Sequence, residues 1–174
     1  ATLQAFISQS VALYPAENYV LDIWDHGGGI RGVCWDDTSG SDCLTMPELR
    51  SAVVGAGVAV DVVMFDACAM GEVEIAHQFL GYADYIVFSQ NMVRRCGFPY
   101  DTIMTRLVAE PTMTDMDFAI VAADEFALYY EVNNLSLLTI SVFDMSCVTA
   151  VAGAVGTFAS EMIATMSTAY NTYT

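Results

Sequence analysis

Residues 60–65, Val-Asp-Val-Val-Met-Phe, are apolar at every position but one. A strand with one wet face alternates apolar with polar residues. A nearly continuous apolar run instead belongs to a strand covered on both faces, the habit of parallel sheets in α/β proteins. This run ends in Asp66-Ala67-Cys68. A second apolar run, residues 19–24, ends in Trp24-Asp25-His26-Gly27-Gly28-Gly29. A cysteine and a histidine thus each sit where a strand would leave a sheet. Ligands of α/β proteins bind in the crevice beyond the carboxyl ends of the strands.

The rest of the chain alternates helix-like and strand-like segments. Residues 2–14 place Leu3, Phe6, Ile7, Val11 and Leu13 at near-helical spacing, stopped by Pro15. Residues 25–45 are rich in Gly, Asp, Ser and Thr and read as a long loop. Thr45 is expected to cap a helix running to about Gly55, with Pro47 and Glu48 in its first turn. Further helices are expected over residues 70–80, 100–108, 114–130 (capped by Thr114 or Asp115) and 145–170, the last broken near Gly153 or Gly156. Further strands are expected over residues 83–89 and 137–143. This alternation predicts one α/β domain over residues 1–174, with parallel strands joined by right-handed crossovers. Asp22 is the misfit, because a carboxylate inside a short strand is costly if buried without a partner.

Twenty-one acidic residues face five arginines and no lysine, giving a net charge of −16. Such a surface repels phosphate backbones and attracts cationic ligands and peptides, so nucleic acid is not an expected partner. The 55% hydrophobic content excludes disorder. No apolar run is expected to reach the roughly 18–20 residues of a membrane span, so no membrane association is expected. The chain begins at Ala1 rather than Met, as expected if a leader or a longer segment has been removed. Five cysteines leave at least one unpaired within the chain. Cys34 and Cys43 bracket a short loop and could pair in an oxidising compartment. The cysteine spacings do not match Cys-x-x-Cys zinc ligation, which leaves Cys34, Cys43 and His26 as a minor zinc candidate.

A thiol needs a base, and one histidine distant in sequence can supply it. Cys68 is the expected nucleophile and His26 the expected base. The helix expected from residue 70 would place a helix N-terminus beside the thiol and favour the thiolate. Glycines after His26 allow close backbone approach, and the Gly27 N–H is the candidate oxyanion donor. His77, inside the expected helix, reads as structural. His-Gly-Gly-Gly also occurs in lipases, but they require a Gly-x-Ser-x-Gly elbow, and this chain has none.

The chain resembles the clostripain family of cysteine peptidases, in the clan of caspases, legumain and gingipains. The clan is marked by one apolar block ending in His-Gly and another ending in Ala-Cys, here His26-Gly27 and Ala67-Cys68. The likeness also takes in Tyr14-Pro15-Ala16-Glu17-Asn18-Tyr19, Asp36-Asp37-Thr38-Ser39, Leu44-Thr45 with Glu48-Leu49, Met70-Gly71 with Val73-Glu74, Tyr82-Ala83-Asp84-Tyr85 and Gly97-Phe98-Pro99-Tyr100. It spans about residues 2–109 and is only general beyond them. It implies a caspase-like three-layer αβα sandwich with a mostly parallel sheet. It implies a His26–Cys68 dyad that needs no cofactor for its chemistry and cleaves peptides after Arg or Lys. Asp66 is implied as the carboxylate for the basic P1 side chain, a role in which a guanidinium pairs bidentately. Self-cleavage between the two blocks is implied at Arg31 or Arg50, with Arg31-Gly32 cut first. Calcium is a possible cofactor in some relatives, and the acidic loop of Asp36, Asp37 and Asp42 is its candidate site. Most relatives are secreted or surface-linked, which implies export.

The chain departs from the family pattern in two ways. Family members carry a strand and helix before the segment that begins here, so the chain reads as a fragment with an exposed sheet edge that a homodimer could cover. After the third strand, where relatives tend to have acidic residues, it has Gln90, Asn91 and Arg94-Arg95-Cys96. Two arginines near a basic pocket leave a second reading: a pseudoenzyme that acts as a peptide- or partner-binding module.

Overall fold

A computed structural model describes residues 2–135 and 138–173. Four strands form the main sheet, in the order β1 (Val20–Trp24), β4 (Val62–Asp66), β5 (Tyr85–Phe88) and β6 (Ser141–Asp144). β1, β4 and β5 are parallel, while β6 returns antiparallel to β5. Between β1 and β4 lie the short strands β2 (Val33–Asp36) and β3 (Asp42–Leu44). The helices are α1 (Thr2–Leu13), α2 (Met46–Ala56), α3 (Val73–Gln78), α4 (Tyr100–Ala109), α5 (Asp115–Val132) and α6 (Val148–Tyr173).

The sheet is covered on both faces, as the apolar run at residues 60–65 requires. Every residue of β4 is buried. Val63 and Phe65 point to a core shared with Ile7 of α1, Leu49 and Val53 of α2, Ile75 of α3 and Val148 at the start of α6. Val62 and Met64 point the other way, to Ile103 of α4 and to Phe118, Ala122 and Phe126 of α5. Period-two alternation along one strand therefore feeds two cores, and the result is a three-layer αβα sandwich. Burying a side chain such as Phe65 contributes roughly 1.5–3 kcal/mol. The helix starts follow from capping. The Glu48 carboxylate accepts the Thr45 N–H at 3.0 Å, and Thr114 and Asp117 bond each other's backbone N–H at 3.1 and 3.2 Å.

Several expectations need correction. The long loop at residues 25–45 contains an antiparallel hairpin, β2–β3, with a register shift between Val33 and Asp36. The helix expected from residue 70 starts at Val73. Met70 and Gly71 are drawn instead against the loop after β5, where the Gly71 N–H donates to the Ser89 carbonyl at 2.8 Å. The last strand is Ser141–Asp144 rather than residues 137–143, and it runs antiparallel. Leu137 lies outside the described residues. Helix α6 continues through Gly153 and Gly156 without a break. Met145–Met166 has a mean hydropathy of 1.5, long and apolar enough to cross a membrane by length and composition. Gly, Ala, Ser and Thr scattered among its Val, Met and Phe hid that length in the sequence. Phe158 and Ile163 on this helix are 66% and 73% exposed.

Candidate active site

The parallel register of β1 on β4 ends with Trp24 opposite Asp66. His26 and Cys68 each follow two residues later, so adjacent strands deliver them side by side. Gly27 shows how close the two exits lie. A Cβ there would stand 2.8 Å from the Cys68 backbone nitrogen and nearer still to the Cys68 carbonyl oxygen. Only glycine fits, and its position presses the His-Gly segment onto the Cys68 backbone. The hairpin fixes the segment from its other side. The Cys34 N–H donates to the His26 carbonyl at 2.9 Å, and the Gly28 N–H to the Gly32 carbonyl at 3.0 Å. Glu72 ties the same loop to α3 by accepting the Ile30 N–H at 3.1 Å.

Beyond Cys68 the chain turns sharply through Ala69, which has a positive φ of 58°. The Cys68 thiol is half-buried and engages the backbone of Val93 twice. Its sulfur accepts the Val93 N–H at 3.3 Å, and the thiol donates to the Val93 carbonyl at 3.4 Å. His26 is exposed. Both line a cleft of about 380 Å³, together with Trp24, Asp66, Arg94 and Arg95. Because α3 begins at Val73, no helix N-terminus lies directly behind Cys68, and that part of the sequence expectation falls away.

Asp66 is 4% exposed. Its Oδ2 accepts the Phe98 N–H at 3.0 Å and faces the Tyr100 hydroxyl at 2.8 Å. Gly97 hugs this carboxylate, since a Cβ there would lie 2.9 Å from Asp66 Cγ. Burial raises the Asp66 carboxyl above the usual carboxylate range, and the Phe98 and Tyr100 donors pull it back. Asp22 also meets Tyr100, with Oδ2 and Oη 2.6 Å apart. Asp22 is exposed on the edge strand, yet desolvation raises it first and the charge of Asp66 raises it further, against the Tyr100 hydrogen bond. Tyr100 is the residue sequence reasoning missed. It lies in the Gly97–Tyr100 motif, and nothing in the sequence ties it to Asp22, 78 positions away.

The remaining sequence candidates are dispersed. Arg31 is exposed at the end of a 3₁₀ turn, Gly29–Arg31. Arg50 is held in α2, where its guanidinium donates to the Gln78 carbonyl at 2.6 Å and lies over the Tyr82 ring. His77 is exposed on α3 and is not among the cleft residues. Cys34 and Cys43 are free thiols, and burial followed by the Asp25 charge pushes the Cys34 thiol up to about 11. Among the described residues, His26, Cys34 and Cys43 do not converge as metal donors, nor do Asp36, Asp37 and Asp42. Asp36 instead accepts the Thr38 N–H at 2.8 Å, and Asp42 the Cys43 N–H at 3.0 Å.

The whole chain, residues 1–174, matches the model of the clostripain family. Clostripain from Hathewaya histolytica is 36% identical over 62% of this chain and 24% of its own length. A secreted C11 cysteine protease from Bacteroides thetaiotaomicron, solved with an irreversible peptide inhibitor, is 25% identical with a TM-score of 0.74. That alignment covers 87% of this chain and 46% of the protease. An inactive zymogen C11 protease from Parabacteroides distasonis is 30% identical with a TM-score of 0.69, over 87% of this chain and 41% of its own. The chain thus spans less than half the length of each of these relatives.

Proposed function

The chain belongs to the clostripain family, and on that premise we propose that it is a cysteine endopeptidase cutting after Arg or Lys through Cys68 and His26. One observation carries the reading: β1 and β4 end in register, with Gly27 seated against the Cys68 backbone. The Cys68 sulfur attacks the scissile carbonyl carbon, and its proton passes to His26. His26 returns the proton to the leaving amine as the peptide bond breaks, leaving a thioester that water then hydrolyses. Among the described residues the Gly27 and Cys68 N–H groups have no hydrogen-bond partner, so both are free to hold the oxyanion. Asp66 receives the guanidinium or ammonium of P1. The thiol must turn away from the Val93 backbone before it can attack. The Bacteroides thetaiotaomicron relative is a secreted protease, and we extend export to this chain.

A second reading, a binding module without turnover, draws on that same Val93 contact and on Arg94 and Arg95 in the cleft. A fluorogenic arginyl peptide, offered with and without calcium beside Cys68→Ala, separates the two. The peptidase reading expects hydrolysis that falls at least about 10³-fold in the variant. Absence of hydrolysis, with Cys68 inert to a peptidyl-arginine chloromethyl ketone, would leave the module.

A further inference from the structure

Asp22 stands in the middle of β1, yet it does not line the cleft. Its neighbours Leu21 and Ile23 belong to the core shared with α1, α2 and α3, so the Asp22 side chain lies on the α4 face, where Tyr100 begins that helix. Tyr100 Oη is 2.6 Å from Asp22 Oδ2 and 2.8 Å from Asp66 Oδ2. A phenol carries one proton and donates fully to one acceptor at a time. Two contacts this short place Asp66, which is buried, and Asp22, which is exposed on β1, where the pair can share a second proton through the phenol.

We propose that Asp22 is a positioning residue that sets the charge on Asp66 through Tyr100, and with it the cleft's grip on a cationic P1 side chain. This rests on the reading of Asp66 as the P1 carboxylate. Two arrangements share the same two protons. In one, the Asp66 carboxylic acid donates to Tyr100 Oη, and Tyr100 donates to the Asp22 carboxylate. In the other, the Asp22 acid donates to Oη and Tyr100 donates to the Asp66 carboxylate. Passing from the first to the second moves one proton onto the phenol oxygen and one off it, and releases none. A guanidinium beside Asp66 selects the second arrangement. When pH rises far enough to remove the extra proton, the cation sees both carboxylates. Two acids sharing a proton titrate as a pair, in two macroscopic steps.

The charged and titratable surroundings fit this role. Arg94 and Arg95 line the cleft beside Asp66, and Asp25 and His26 continue β1 into it. Asp101 follows Tyr100 on α4. From α5, Tyr130 donates to the Gly97 carbonyl at 3.0 Å and accepts from Cys96 at 3.3 Å, behind the loop that wraps Asp66. Burial raises Asp66, and Asp22, although exposed to solvent, is raised by desolvation and by the charge of Asp66 against the Tyr100 hydrogen bond.

The test compares wild type, Asp22→Asn and Tyr100→Phe in the full chain, with two readouts. The first is KM and kcat for an arginyl peptide between about pH 5 and 8. Wild-type KM should fall as the second proton leaves. Asp22→Asn should lose that fall and bind about fivefold more weakly at pH 8, with kcat within about twofold, from one charge roughly 8 Å away at intermediate dielectric. A purely structural Asp22 would lower kcat and keep the shape of the pH profile. The second readout is the ¹³C carboxyl titration of Asp66 by NMR, which needs no turnover. It should be two-step in wild type and single-step in Asp22→Asn. Should that variant not fold, Tyr100→Phe, which removes the bridge, should give the single step. An Asp66 curve unchanged by these substitutions overturns the proposal. A wild type that ignores arginyl peptides while showing the two-step curve overturns the P1 reading and leaves the shared proton standing.

Discussion

Gly27→Ala tests whether the two strand exits hold each other. The added Cβ would stand 2.8 Å from the Cys68 nitrogen and 3.0 Å from Ala67 Cβ, with the Cys68 oxygen closer still. Ordinary contacts begin near about 3.5 Å, so the His26 and Cys68 segments must separate by roughly 1 Å. Both are backbone, and neither can rotate away as a long side chain would. A 1 Å misplacement of reacting groups can cost about 10²-fold in rate, or about 2.7 kcal/mol of barrier. Overpacking of this kind also removes about 1–3 kcal/mol of stability. For a chain of this size that is roughly 2–4 °C of melting temperature per kcal/mol. The assay pairs kcat/KM on an arginyl peptide with a thermal melt followed by circular dichroism. The expected outcome is a native spectrum, a lowered melting temperature and kcat/KM reduced about 100-fold. A variant with kcat/KM within threefold of wild type and an unchanged melt would refute the reasoning, since the exits would then be free to part. The melting arm stands whether or not the chain cleaves peptides.

Burial, then the charges of Asp115, Asp61 and Asp144, raise the Asp84 carboxyl. A carboxyl held above its unfolded value contributes stability at low pH and loses it as pH climbs through the folded value. Asp84→Asn should therefore raise the melting temperature at pH 7–8 and leave it unchanged near about pH 3; an equal shift at both pH values would contradict this. On the proposed peptidase reading, self-processing should fall after Arg31 before Arg50, because Arg31 is exposed while the Arg50 guanidinium is tied to the Gln78 carbonyl. Gly32 is buried and its N–H donates to the Gly29 carbonyl, so the 3₁₀ turn must open first and cleavage should be slow. N-terminal sequencing of aged protein decides it, and a first cut at Arg50 would count against the reasoning.

The sequence carried the parts of the fold that local physics fixes. Residues 60–65 announced a strand buried on both faces, and Thr45 with Glu48 and Thr114 with Asp117 marked helix starts by chemistry reaching only three residues along. What stayed hidden depended on partners far away in the chain. The hairpin at residues 33–44 is short, its register slips between Val33 and Asp36, and it is anchored by the Cys34 N–H to the His26 carbonyl, a bond that no local pattern announces. The start of α3 was misplaced because Gly71 and Glu72 are claimed by Ser89 and Ile30, across the sheet and across the loop. The meeting of His26, Cys68 and Asp66 at one cleft was legible because each lies at the end of an apolar run. Asp22 looked like a misfit because its partner, Tyr100, arrives from another helix.

The reversal of β6 also decides how this molecule can be handled on a support. Asp144 pairs with Tyr85 at the foot of the sheet, whereas the cleft opens past Trp24 and Asp66 at its head. The exposed thiol of Cys147 comes just after Asp144, at the foot. The exposed thiol of Cys96 sits in the loop beside the cleft-lining Arg95. Coupling to a bead through Cys147 would leave the cleft turned toward the bulk solution, and coupling through Cys96 would turn it against the matrix.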